Sequence, residues 1–205
     1  VAEPRRTNVP IDQRRQELAE TAVTVMARDG AWALTTRALA KEAGVPHGSV
    51  HYAFSSKDEL MRAVLRLDLT HLSDLMPTQQ DRQVHGPDDA AAAVAELFMA
   101  YADSVIAAPD VETAYFELSL MAARDEKLRS LAVQSQQEHR RTMAAFLDDL
   151  AEQSGLRWEV EVTLVADQAL TLLYGASLSW LEQRDDTMFR AVLQDAASMV
   201  GRRLL

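Results

Sequence analysis

Cysteine is absent from the 205 residues, which excludes a disulfide framework, cysteine-ligated zinc and thiol catalysis, and fits a reducing compartment. Glycine and proline are scarce, at 7 and 6 residues, too few to punctuate an all-β sandwich of many short turns. Neither a phosphate-binding glycine loop nor a G-x-S-x-G elbow nor a metal-ligand helix pair occurs, so no catalytic site, metal or cofactor is expected. The first twelve residues, Val1 to Asp12, hold Pro4, Arg5, Arg6 and Pro10 but no apolar stretch, so neither a signal peptide nor an anchor is expected there. Val162 to Leu181 approaches the length of a membrane span, yet Asp167 and Gln168 sit in its middle with Thr163, Ser177 and Ser179. It reads as a buried helix, with no membrane partner and a cytoplasmic location. What the chain has in plenty is Ala, Leu, Glu, Gln, Arg and Met, with 48% hydrophobic and 25% charged residues overall. That composition predicts a soluble all-α protein with a sizeable core.

The formal net charge of −10 argues against nucleic acid only until its distribution is considered. Residues 1–66 hold 10 Lys/Arg against 8 Asp/Glu, whereas residues 67–205 hold 11 against 23. A mildly basic head on an acidic body suits a DNA-contacting module joined to a module that does not touch DNA, although surface variation alone gives similar asymmetry.

Asp12 is expected to cap a first helix whose apolar residues Leu18, Ala22, Val25 and Met26 form one stripe, ended by Asp29-Gly30. Thr35 caps a short second helix closed by Gly44, a third begins near Pro46 and runs to about Phe54, and Ser55-Ser56 cap a fourth starting at Lys57. Pro77 to Asp89 reads as a loop. The remainder divides into helices near 90–107, 111–123, 126–154, 159–184 and 187–204, with no strand pattern and no fixed repeat.

Two short helices joined by Ala43-Gly44-Val45-Pro46 have the form of a helix-turn-helix, whose second helix enters the major groove. His47 and His51 stand four apart, a spacing able to ligate zinc, but no third ligand is evident and a groove-facing helix explains both. Tyr52 reads either as part of that face or as a core aromatic beside Phe54 and Leu60. Arg5 and Arg6 suit either a minor-groove arm or an unengaged terminus.

From Leu34-Thr35-Thr36-Arg37-Ala38-Leu39-Ala40-Lys41-Glu42-Ala43-Gly44-Val45 through Pro46-His47-Gly48-Ser49-Val50-His51-Tyr52-Ala53-Phe54 to Ser56-Lys57-Asp58-Glu59-Leu60, the sequence resembles the tetracycline-repressor (TetR) family of bacterial transcriptional regulators. The likeness covers about the first 65 residues. It implies a three-helix DNA-binding domain over 1–55 and a helical ligand-binding and dimerisation domain over 56–205. It further implies a homodimeric repressor that binds a palindromic double-stranded operator and is released by a small, largely apolar effector. An activator, or a regulator controlled by a protein partner, is the alternative, and a helical enzyme using carboxylates and His139 is a distant one. Carried over residue by residue, Thr35, Thr36 and Arg37 match the start of the family's second helix, where amides and hydroxyls meet phosphate and the arginine reaches a guanine. His47, Gly48, Ser49, His51 and Tyr52 match the groove-facing positions of the recognition helix, and Lys57 matches the phosphate-contacting lysine. The chain departs from the pattern at His51, where the family usually has tyrosine, and at Ala53, where it often has histidine.

Helix 111–123 is apolar nearly all round and is expected in the middle of the body, with the hydroxyls of Tyr115 and Ser119 one turn apart. With Phe98, Tyr101, Met143 and Tyr174 on other helices these make either plain core or an apolar pocket with a few polar handles. The resemblance, not the periodicity, implies an effector site there. Helix 159–184 has apolar residues on two faces, and 187–204, with Phe189, Val192, Leu193, Ala196, Met199 and Val200, has a similar surplus, which suits a four-helix bundle across a two-fold axis.

Overall fold

The surplus of helix formers is realised as α1 (Ile11–Asp29), α2 (Thr36–Glu42), α3 (His47–Ala53), α4 (Lys57–Leu75), α5 (Pro87–Ala107), α6 (Pro109–Arg124), α7 (Glu126–Ser154), α8 (Val162–Gln183) and α9 (Asp186–Gly201). This computed structural model describes residues 10–76 and 84–205. Arg5 and Arg6, and the first part of the loop read from Pro77 to Asp89, lie outside the described residues. Among the described residues the extended structure is one isolated antiparallel bridge, Trp158 to Leu204.

The chain divides into two compact units, one of Val1–Asp68 with Thr113–Leu131 and one of Leu69–Glu112 with Ala132–Leu205. In the first, the stripe Leu18, Ala22, Val25 and Met26 is buried with Leu39 of α2 and Val50 of α3, and α1, α2 and α3 contact one another. Local signals set the ends. Gly30 follows α1 with φ +87°, a conformation open to glycine, and donates its N–H to the Met26 carbonyl at 2.8 Å. Thr35 caps α2 by accepting from Ala38 N at 3.0 Å. Asp12, by contrast, is no cap. Pro10 occupies that position, its carbonyl accepting from Arg14 N at 3.0 Å, and Asp12 falls inside the first turn.

In the second unit α9 packs on α5 and α8. The approach is so close that a Cβ on Gly201 would stand 2.3 Å from Ala91 Cα, so only glycine fits. Phe98, Met143, Leu147, Leu173 and Leu193 are wholly buried in one continuous apolar cluster. By length and composition α5, not the segment around α8, is the described helix apolar enough to cross a membrane. Its residues Val94, Leu97, Phe98, Ala102 and Val105 are core, which accounts for its apolar character.

The two C-terminal helices are shorter than expected, α8 starting at Val162 and α9 ending at Gly201. The flanking segments pair instead. Arg157 and Leu205 exchange both backbone hydrogen bonds at 2.9 and 2.8 Å, Glu159 N donates to Arg203 O at 2.8 Å, and the Trp158 indole donates to Leu147 O at 3.1 Å. A second correction concerns α6. It is not buried all round: Leu120 is 69% exposed, Ser119 is exposed and Tyr115 is half-buried, and from Thr113 onward its residues group with the first unit.

Candidate functional site

The first unit presents one polar face on a short helix. In α3, His47 with His51 and Gly48 with Tyr52 are two adjacent i, i+4 pairs, and all four residues are exposed, Tyr52 by 81%. Val50 and Ala53 on the opposite side are wholly buried, and Ser49 between the faces is half-buried. Tyr52 is therefore not the core aromatic that its neighbours Phe54 and Leu60 allowed. The rings of His47 and His51 meet edge to face at 4.5 Å, and His47 Nε2 shares a 3.0 Å hydrogen bond with Thr36 Oγ1. That bond ties the start of α3 to the start of α2. Among the described residues no group of three His or carboxylate side chains stands together as a metal site.

Thr35, Arg37 and Lys57 are exposed and Thr36 half-buried. Lys57 opens α4, whose start is a reciprocal cap: Ser56 Oγ accepts from Glu59 N at 3.1 Å, while Glu59 Oε2 accepts from Ser55 N at 2.8 Å and from Ser55 Oγ at 2.9 Å. These donors hold the Glu59 carboxyl below the usual carboxylate range, first through the Ser55 amide and then its hydroxyl, with Arg15 adding attraction. Arg15 closes the arrangement. Its Nη2 donates to Glu59 Oε1 at 2.7 Å and its Nε to the Ala53 carbonyl at 2.8 Å, joining α1 to the end of α3 and the start of α4. The sequence reading missed both residues, although Ser56-Lys57-Asp58-Glu59 carries the capping-box spacing that flags Glu59.

A further tie within this unit comes from α6. Glu117 Oε2 accepts the N–H of wholly buried Ala31 at 2.6 Å, and a Cβ on Gly30 would meet the same oxygen at 3.3 Å. A body helix in the sequence reading thus supplies a side chain to the turn between α1 and α2.

In the second unit Phe98, Tyr101 and Met143 belong to the large apolar core, and Tyr174 packs against it. Tyr115 and Ser119 group with the first unit, and Ser119 is exposed. The polar groups inside the cluster are others. Ser177 Oγ donates to Tyr101 Oη at 3.0 Å, and Tyr101 Oη donates to Glu112 Oε1 at 2.7 Å. Tyr174 Oη and Nδ1 of buried His139 lie 3.2 Å apart. Burial pushes the Glu112 carboxyl above its ordinary range, the Tyr101 hydrogen bond offsetting part of the rise. Burial also raises the Tyr101 phenol, helped by the neighbouring carboxylate. A glutamate three residues after a proline reads as ordinary helix N-terminal charge, so nothing in the sequence singled out Glu112.

Residues 18–64 match the family described as bacterial regulatory proteins, tetR family. The match covers the helix-turn-helix segment of the chain. The chain is 25% identical over 173 residues to the HTH-type nicotine-responsive transcriptional repressor HdnoR of Paenarthrobacter nicotinovorans, covering 84% of this chain and 86% of that protein. Its fold is similar to a TetR transcription regulator from Haloarcula marismortui, with a TM-score of 0.72 at 20% identity over 95% of this chain and 100% of that one. It is similar also to the transcriptional regulator FadR of Bacillus subtilis in complex with stearoyl-CoA, with a TM-score of 0.68 at 14% identity over 90% and 96% of the two chains. The segment so matched, residues 18–64, is the one that carries the helix-turn-helix of α2 and α3.

Proposed function

We propose that the protein is a cytoplasmic homodimeric repressor that binds a palindromic operator and is released by a small, largely apolar effector. The observation that carries this reading is the face of α3, where His47, Gly48, His51 and Tyr52 are exposed on a helix whose other side is core. Exposure of so large an aromatic as Tyr52 fits a surface that is covered only in a complex. Gly48 adds a second argument. Glycine costs helix stability, yet a Cβ there would meet nothing within 4 Å, so the fold does not demand it. A closely approaching duplex does.

In this reading residues 1–55 carry the DNA contacts. Thr35, Thr36 and Lys57 position phosphates, Arg37 reads a base, and His47, Ser49, His51 and Tyr52 line the groove. Residues 56–205 hold the effector and the dimer interface. Support for the interface lies on α8 and α9, where Leu164, Leu178, Met188, Val192 and Met199 are each 44–59% exposed. Leu164, Leu172 and Met199 border a groove of about 610 Å³. Apolar side chains of this number on one helix pair suit a four-helix bundle with a second copy. The effector side is supported by the polar groups in the Phe98, Tyr101, Met143 and Tyr174 cluster. A relative named for its response to nicotine and a neighbour of the same fold holding stearoyl-CoA support it further. Release is a population shift, the effector favouring a conformation in which the two recognition helices no longer match consecutive major grooves.

A mobility-shift assay on DNA flanking the protein's own gene, with and without small apolar compounds, tests the reading. A retarded band that these compounds abolish is the expected result. Binding that no small molecule affects would sink the effector half, and no sequence-specific band at all would sink the whole.

A further inference from the structure

We propose that His47 is a positioning residue for DNA binding: its imidazole takes up a proton when a phosphate docks on Thr36, and the charged ring turns the Thr36 hydroxyl outward as a donor to that phosphate. This rests on the DNA-binding reading above and adds a proton-linked contact to it.

Thr36 is the first residue of α2 and His47 the first of α3, and their side chains meet at 3.0 Å between Oγ1 and Nε2. A neutral imidazole carries one N–H and one bare nitrogen, so this bond can run in two directions. When Thr36 donates, its proton is committed to the ring and the hydroxyl has none left for another acceptor. When His47 donates, the Thr36 proton is free to point outward. An imidazolium has an N–H on both nitrogens and permits the second direction alone. Phosphate oxygens accept hydrogen bonds and carry negative charge. A phosphate on Thr36 therefore favours the charged ring twice, through the freed hydroxyl and through the charge itself.

The surroundings leave that charge unclaimed. Among the described residues no carboxylate forms an ion pair with His47 or His51. The elements packed on α3 are α2 and α1. The charged side chains of α2 are Arg37, Lys41 and Glu42, and Glu42 is paired with Arg28 of α1 at 2.8 Å. Arg15 of α1 reaches the other end of α3, where it donates to the Ala53 carbonyl and to Glu59. On α3 itself the titratable neighbours are Tyr52 and His51, whose ring meets that of His47 edge to face at 4.5 Å. A proton on each ring would set like charges at that distance, so a second proton is held off. The Thr36 bond assigns the first to His47. Imidazole changes charge between pH 5 and 8, and a complex that holds the proton more tightly than the free protein forms more readily as pH falls.

Fluorescence anisotropy of the full chain at constant ionic strength, from pH 6 to pH 8, tests this with a labelled duplex that the mobility-shift assay above retards. The parent protein is expected to bind at least about fivefold more tightly at pH 6 than at pH 8. His47→Gln keeps an amide donor for Thr36 but does not titrate, and its affinity should be level across the range. Thr36→Val should lose most of the dependence, and Thr36→Ser, which keeps the hydroxyl, should retain it. His51→Phe keeps the ring contact and should keep the dependence. Circular dichroism at both pH values checks that each variant is folded, and if Thr36→Val is not, His47→Gln decides. The inference is overturned if the parent binds equally at both pH values, if His47→Gln or folded Thr36→Val retains the dependence, or if Thr36→Ser or His51→Phe abolishes it. Binding without any pH dependence leaves the DNA-binding reading standing, whereas no retarded duplex at any pH in the range removes both.

Discussion

Replacing Gly48 by alanine should move stability and DNA binding in opposite directions. Gly48 is the second residue of the seven-residue α3, it is exposed, and a Cβ there would meet no heavy atom within 4 Å. Nothing in the folded chain therefore resists the methyl group. Alanine in place of glycine in a helix contributes about 0.5–1 kcal/mol, and in a chain of this size each kcal/mol raises the melting temperature by roughly 2–4 °C. An increase of about 1–4 °C by circular dichroism follows. On the operator the same methyl stands among His47, His51 and Tyr52, where a close-fitting duplex has no room for it. Overpacking a tight contact by one methyl costs about 1–3 kcal/mol, a loss of roughly fivefold to 150-fold in affinity by fluorescence anisotropy. If the variant is more stable and binds DNA as before, Gly48 does not face the duplex. If it is less stable, the fold requires the glycine and the argument fails at its first step.

Lys57→Ala should weaken binding to all sequences alike and lower the magnitude of the salt slope by about one, whereas Arg37→Ala should relax preference at one base pair by about 1–3 kcal/mol. Identical sequence-independent losses in both variants would remove the reader role of Arg37. Glu117→Ala strands the buried Ala31 amide now bonded at 2.6 Å, so denaturant unfolding should show a loss of about 1–3 kcal/mol, with Glu117→Gln losing less. An unchanged midpoint would mean that this bond does not hold the turn after α1. Gly201→Ala sets a Cβ 2.3 Å from Ala91 Cα and should cost about 1–3 kcal/mol as α5 and α9 separate. A variant as stable as the parent would show that the two helices part freely.

The N-terminal helices were legible in the sequence because their ends are set locally. Thr35 caps α2, Gly30 ends α1, and Ser56 with Glu59 starts α4, each through bonds within four residues. The stripe Leu18, Ala22, Val25 and Met26 is buried in full, since periodicity reports a face directly. Long-range features were not legible. The backbone pairing that shortens α8 and α9 joins Arg157 to Leu205, and nothing near either residue announces it. For α6 the composition misled: Leu120 and Phe116 suggest a central helix, while Glu117, one polar residue among them, is committed to Ala31 at a separation of 86 residues. Of the six residues read as an effector site, Phe98, Tyr101 and Met143 belong to the apolar core cluster and Tyr174 packs against it. Glu112, Ser177 and His139, the polar groups that distinguish that cluster from plain core, become visible only when Tyr101 and Tyr174 are given their partners.

The central claim, that the exposed face of α3 reads DNA, is tested most directly by duplexes selected from a random pool with the full-length protein. The double variant His47→Ala/Tyr52→Ala is then titrated against the selected sequence and a scrambled one. The account predicts two protomers per palindromic duplex, a clear preference over the scrambled sequence, and at least a tenfold loss in the variant, titrated where circular dichroism shows it folded because His47 also bonds Thr36. Selected and scrambled duplexes bound equally by the parent protein, or a variant that keeps its full affinity and preference, would contradict it.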